Sequence, residues 1–191
     1  MKIGLFFGSF NPVHIGHMAI ANFMIEFTDL EQLWFVVSPQ NPLKKKVTLL
    51  EDHKRRTLLE IAVGDDSRFR VSDIEFRLPK PSFTITTLTY LKELHPGHEF
   101  VLIMGSDGLD TFHKWKNYAV IESNYTRYVY PRPGYAVNAE DHNNIRVFEV
   151  PLMEISSTFI RQAIRLKHDI RYFLPCKVYD YINEMHFYID A

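Results

Sequence analysis

The sequence predicts a three-layer α/β domain built on a parallel sheet, and three observations carry the prediction. Short apolar runs alternate along the chain with helix-length segments, the order that gives parallel strands joined by crossover helices. The strongest runs, Ile3–Phe7, Leu33–Val37 and Phe100–Met104, are almost unbroken by polar residues, as strands covered on both faces require. The first and third of them end in glycine turns, Gly8-Ser9 and Gly105-Ser106-Asp107. In an open parallel sheet the ligand sits beyond the carboxyl ends of the strands, where these turns fall.

Each element follows from its own pattern. Ile3–Phe7 is the first strand. His14–Phe27 reads as a helix, apolar on most sides and so expected to be buried. Leu33–Val37 is a second strand, stopped by Ser38-Pro39-Gln40-Asn41-Pro42. Leu49–Val63 is amphipathic, and His53, Lys54, Arg55 and Arg56 are expected to line its wet surface. Phe69–Val71 is a short strand. Thr84–Leu94 is a helix ended by Pro96-Gly97. After the Phe100–Met104 strand come two more, Arg127–Tyr130 and Ile145–Val150. Helices at Ser157–Lys167 and Cys176–Met185 close the chain, with Tyr172, Phe173, Tyr179, Tyr181, Phe187 and Tyr188 expected to pack them.

Composition bounds the rest. A chain of 191 residues reads as a single domain, 1–191, at about 150 residues per domain. The balance of 22 Lys+Arg against 23 Asp+Glu argues against a surface that clamps nucleic acid. The single cysteine, Cys176, cannot form an internal disulfide and favours a reducing compartment. The longest apolar runs are far short of the roughly 20 residues of a membrane span. A cytoplasmic protein without membrane or nucleic-acid partners is expected. Whether it forms a homo-oligomer is left open.

The richest segment is Gly8-Ser9-Phe10-Asn11-Pro12-Val13-His14-Ile15-Gly16-His17. Glycine lets backbone amides approach a bound group, and the helix that follows offers free N–H groups to an anion. His14 and His17, three apart, project from one face of the first turn. Imidazoles there can donate to phosphate oxygens as charge moves. A structural role for either histidine competes, and so does a zinc pair, although no third ligand has metal-site spacing. A second segment, Ile155-Ser156-Ser157-Thr158-Phe159-Ile160-Arg161, is a hydroxyl-rich helix start. Ser156 or Ser157 is a natural N-cap, and Phe159, Ile160, Ala163 and Ile164 form the expected buried stripe. Arg161 opposes the helix dipole unless an anion sits there.

The first segment resembles the N-terminal signature of the nucleotidyltransferase superfamily that carries His-Ile-Gly-His. Ser9 and Asn11 stand where that family usually has Thr and Asp. The second is similar to the Ile-Ser-Ser-Thr-x-Ile-Arg motif of bacterial adenylyltransferases. Pro81-Ser82-Phe83-Thr84-Ile85-Thr86-Thr87-Leu88 resembles a segment of the nicotinate-nucleotide adenylyltransferases, with Thr86 in place of an Asp. Gly105-Ser106-Asp107 followed by Trp115, and Arg132-Pro133-Gly134, resemble two more.

The resemblance implies a Rossmann-like nucleotidyltransferase fold with C-terminal helices, and adenylyl transfer from ATP to nicotinate mononucleotide by direct in-line attack. It assigns catalysis to His14, His17 and Arg161. ATP would meet Gly8, Ser9, Phe10, Lys44, Gly105, Asp107, Ile155, Ser157 and Thr158. The mononucleotide would meet Thr84, Ile85, Trp115 and Arg132. Mg²⁺ is expected on the ATP phosphates, with no protein metal site. Phosphopantetheine adenylyltransferase, glycerol-phosphate cytidylyltransferase, an enzyme taking nicotinamide mononucleotide and a non-catalytic nucleotide-binding regulator share the first signature's logic and stay open.

Overall fold

The computed structural model describes residues 1–39, 49–137, 142–151 and 153–189. Six strands, β1 (Lys2–Gly8), β2 (Gln32–Val37), β3 (Phe69–Ser72), β4 (Glu99–Gly105), β5 (Arg127–Tyr130) and β6 (Ile145–Val147), form one sheet. Their order is β3-β2-β1-β4-β5-β6, and every neighbouring pair is parallel. Phe6 of β1 stands between Phe35 and Ile103, and Gly8 pairs with Val37. The chain runs outward from β1 to β3, then returns to lay β4 on the other side of β1. The topological switch point therefore lies between β1 and β4, whose carboxyl ends are the two glycine turns.

Side chains leave a strand on alternate faces, and the core divides accordingly. Phe6, Leu33, Phe35 and Val37 pack on one face with Ile20 and Met24 of α1 (Ile15–Glu26) and Leu58 and Leu59 of α2 (Asp52–Val63). Ile160 of α6 (Ser157–Arg165) and Val178 and Ile182 of α7 (Cys176–Glu184) join that face. Leu5, Trp34, Val36, Leu102 and Met104 pack on the other with Leu88 and Leu91 of α3 (Thr84–Leu94). Leu109 of α4 (Ser106–Asp110) and Ile121 of α5 (Tyr118–Asn124) complete it. The three layers are as the sequence predicts.

The differences are local. α1 buries Gly16, Ile20, Ala21 and Met24 and leaves Asn22 and Glu26 exposed. It is not covered on most sides, because Phe23 satisfies its apolar surface by stacking on the exposed Phe27, 4.7 Å away. The Gly105 turn opens straight into the five-residue α4. β6 ends at Val147, short of Val150. Phe159 is 46% exposed and falls outside the predicted stripe, since Phe173 meets its edge at 5.3 Å instead of the core covering it. Tyr172 is also exposed, on a short turn ahead of α7. No described helix is long and apolar enough to cross a membrane.

Candidate active site

The loop between β1 and α1 is shaped from below. Phe10 has a positive φ of 44°, and its ring is 1% exposed, edge-on to Phe6 at 5.8 Å, Phe35 at 5.6 Å and His17 at 5.1 Å. A Cβ on Gly8 would stand 2.8 Å from Phe10 Cζ, so only glycine lets the ring tuck beneath that turn. The Phe10 side chain is thus a pillar of the core, and what remains for a ligand is its backbone. Asn11 is buried, and its Oδ1 accepts from the Leu50 amide at 3.1 Å and the Tyr188 hydroxyl at 3.0 Å.

His14 is the N-cap of α1, and its amide donates to His17 Nδ1 at 3.2 Å. The imidazole rings lie 3.7 Å apart at 31°. With Nδ1 accepting, neutral His17 carries its proton on Nε2, leaving one N–H to give. Burial, helped by the positive charge of Arg132, holds His14 down to about 4. His17 is held well below the ordinary imidazole range by burial, then by His14 and Arg132. Burial and the nearby guanidinium both favour the uncharged imidazoles, and a neutral His17 can still donate through Nε2–H.

At the end of β4, a Cβ on Gly105 would run into Asp107 Oδ1 and come within 3.1 Å of Arg132 Cγ. The Arg132 amide donates to the buried Ser106 hydroxyl at 2.8 Å, and its Nε stands 3.8 Å from Asp107 Oδ1. Arg132, expected to meet the mononucleotide, stands beside Gly105 and Asp107, because the turn after β5 runs back over the end of β4, where Tyr130 pairs with Gly105. Beyond this turn a cavity of about 330 Å³ is lined by Ser106, Leu109, Asp110, Gly134, Tyr135 and Val137.

The third wall is α6. Ser156 is its N-cap, accepting from the Phe159 amide at 3.1 Å. Ser157 donates its hydroxyl to the Pro12 carbonyl at 2.9 Å. Arg161 donates to the Asn11 carbonyl at 2.8 Å and to Thr158 Oγ1 at 3.3 Å. The cation near the helix start is thus held by carbonyl and hydroxyl oxygens of the protein itself. Ile155, half-buried against the core, leads into this turn.

Thr84 and Ile85 open α3, and Ile85 and Trp115 belong to the core on the face of the sheet that α3 covers. Phe83 caps α3 without a side-chain acceptor, and the first capping bonds there are made by Thr86 and Thr87. The Thr84 and Ile85 amides, one step earlier, have no hydrogen-bond partner among the described residues and lie open at a helix start. The Ile85 side chain is buried, so only its backbone can meet a ligand. Trp115 is half-buried against Phe112 at 5.5 Å, and the next residue, Lys116, reaches over the Phe83 ring at 4.5 Å. Thr86 is exposed, and Lys44 lies outside the described residues.

Arg55 and Glu75 are buried charges that the sequence does not place inside, and Arg127 at the start of β5 is a third. Arg55 is not on the helix surface but 0% exposed. It shares the face of Leu58 and Leu59 at i+3 and i+4, a spacing that could have placed it inside. Glu75 is 2% exposed and accepts from Thr87 Oγ1 at 2.8 Å and Ser82 Oγ at 3.1 Å. Burial pushes its carboxyl upward against the hydroxyls of Thr87, Ser38 and Ser82. It sits on a three-residue turn, Ile74–Phe76, which offers no periodicity to read.

Residues 5–163 match the cytidylyltransferase-like family model. The chain is 52% identical to the probable nicotinate-nucleotide adenylyltransferase of Flavobacterium johnsoniae, covering 98% of this chain and 99% of that one. It is 48% identical to the protein of the same name from Bacteroides thetaiotaomicron, covering 96% and 92%. Its fold matches Plasmodium falciparum nicotinic acid mononucleotide adenylyltransferase complexed with NaAD, with a TM-score of 0.83 at 20% identity and coverage of 98% and 97%. A chain with these relatives, whose paired histidines and glycine turns meet at the switch point of a six-stranded parallel sheet, belongs to the nicotinate-nucleotide adenylyltransferase family of nucleotidyltransferases.

Proposed function

We propose that the protein transfers the adenylyl group of ATP to nicotinate mononucleotide, forming deamido-NAD and pyrophosphate. A phosphate oxygen of the mononucleotide attacks the α-phosphorus in line. The bond from that phosphorus to the bridging oxygen breaks, and pyrophosphate leaves with the electron pair. In such a reaction the protein positions the reactants and offsets charge.

The observation that carries this reading is the His14–His17 pair, 3.7 Å apart, at the end of the loop whose Asn11 carbonyl Arg161 holds. His17 Nε2–H donates to the α-phosphate as negative charge shifts. Arg161, Ser157 and Thr158 meet the β- and γ-phosphates at the start of α6. Gly8, Ser9 and the Phe10 backbone lie along the triphosphate, with Gly105, Asp107 and Arg132 towards the adenosine. ATP brings Mg²⁺ on its phosphates. The donors here are N–H groups, hydroxyls and guanidinium ions, a set suited to an anion, so the ion fits as part of the nucleotide.

The open Thr84 and Ile85 amides take the nicotinate carboxylate, while Trp115 stacks on the flat pyridinium. A carboxamide gains less from those donors. Pyrophosphate release from ATP, with each mononucleotide offered separately, is the test. Nicotinate mononucleotide is expected to exceed nicotinamide mononucleotide in kcat/KM by at least about tenfold, or about 1.4 kcal/mol. Equal use of the two, or faster release with phosphopantetheine, overturns the assignment.

A further inference from the structure

Arg55 is a wholly buried cation that the adenylyl-transfer chemistry does not use directly. Its guanidinium is spread over three segments of chain. Nε donates to the Leu50 carbonyl at 2.8 Å, and Nη1 to the Ser38 carbonyl at 3.0 Å and to the Ser9 carbonyl. Nη2 donates to Asp52 Oδ1 at 2.7 Å and reaches the Pro39 carbonyl at 3.4 Å. Asp52, which also meets Lys80 at 3.2 Å, is the one carboxylate that the described residues place on Arg55. A buried charge is usually paired with charge. Here most of the rigid donor fork is given to backbone carbonyls beyond the carboxyl ends of β1 and β2.

The Ser9 carbonyl is the informative one. The cis peptides among the described residues are Asn11–Pro12 and Lys80–Pro81, so the Ser9–Phe10 peptide is trans. In a trans peptide the C=O and the following N–H point to opposite sides. A carbonyl drawn in towards Arg55 therefore turns the Phe10 N–H out of the core. Among the described residues that N–H has no hydrogen-bond partner. It also cannot swing, because the Phe10 ring is locked beneath Gly8.

We infer that Arg55 is a positioning residue for the polyphosphate of ATP: by holding the Ser9 carbonyl it presents the Phe10 amide as a fixed donor. The inference rests on the ATP reading above and deepens it. Arg55 touches no substrate. Lysine in its place carries the charge but lacks the fork, and cannot hold Leu50, Ser38 and Ser9 together.

The test measures binding of α,β-methylene-ATP by calorimetry in the full chain, which needs no acceptor and no turnover. Arg55→Lys is expected to weaken binding by about tenfold or more, the scale of one misaligned donor to a charged oxygen. KM for nicotinate mononucleotide is expected to stay within about twofold, because that subsite lies on α3. Asp52→Asn, which removes the ion pair but leaves the carbonyl contacts, is expected to bind the analogue within about twofold of the parent. Unchanged binding in Arg55→Lys, or equal weakening in both variants, makes Arg55 a packing element and overturns the proposal. Analogue binding by the parent without pyrophosphate release would sink the adenylyl-transfer reading and leave the role of Arg55 to be judged by the same comparison.

Discussion

The His14 and His17 rings lie 3.7 Å apart, tilted by 31°, and the amide of the first is accepted by Nδ1 of the second. That bond uses one ring nitrogen of His17 to cap the start of α1 and leaves Nε2 as the donor that the proposed reaction needs. If the proposal holds, function and local stability are linked at this residue.

His17→Ala is expected to lower turnover by about a hundredfold or more, the loss of one transition-state donor. It also frees the His14 amide and exposes the edge of Phe10, so about 1 kcal/mol of stability goes with it. For a chain of this size that is about 2–4 °C in Tm. Steady-state pyrophosphate release and thermal melting read the two effects. Turnover within threefold of the parent would remove His17 from the chemistry.

Arg161→Ala is expected to lose on both counts. The vacant helix start does not simply repel this cation, because the Asn11 carbonyl and Thr158 hydroxyl hold it. Without it the buried carbonyl loses a charge-assisted bond worth about 1.5–3 kcal/mol. Ligand-free Tm should fall and KM for ATP should rise by about tenfold or more. A variant as stable as the parent would show that Asn11 finds another donor.

The pH dependence has a definite sign. His14, held at about 4 when folded, takes up a proton more readily when unfolded, near its ordinary 6.5. Its contribution is fully present above pH 6.5 and is lost as pH falls towards 4. The slope is at most about 1.4 kcal/mol per pH unit for one such group. Urea melts of the parent and His14→Gln across that window should show a shallower slope in the variant. Parallel slopes would mean that the His14 imidazole titrates in the fold as it does in the unfolded chain.

Trp115→Ala should raise KM for the mononucleotide about tenfold and leave KM for ATP within about twofold, because it packs on Phe112 on the α3 face of the sheet, whereas His17 packs on Phe6 and Phe10 on the other. Impairment towards ATP alone would move Trp115 out of the acceptor pocket.

Legibility from sequence followed the range of the interactions. α3 and β5 have the predicted limits, Thr84–Leu94 and Arg127–Tyr130, because their patterns are local and their ends carry turn residues. α5 went unread: it starts after Asn117 at a φ of 53°, with no side-chain cap to announce it. The glycine turns were legible because glycine is required where Phe10 and Asp107 come close. The clamps on Asn11 and Pro12 were not. Their donors lie on Arg161, Ser157 and Tyr188, between 145 and 177 residues along the chain, and no local pattern encodes such a partner.

Those long-range clamps also set an order of events during synthesis. A ribosome that has released the first 150 residues has made both histidines, both glycine turns and all six strands. It has made none of the three side chains that grip Asn11 and Pro12 from the carboxyl-terminal side. Contacts so distant in sequence close slowly, since the loop entropy must be met before they form. The nascent sheet can settle early, while the loop after β1 waits for residues 157, 161 and 188 to emerge. The loop around Asn11 and Pro12, translated within the first dozen residues, is thus among the last to be fully clamped.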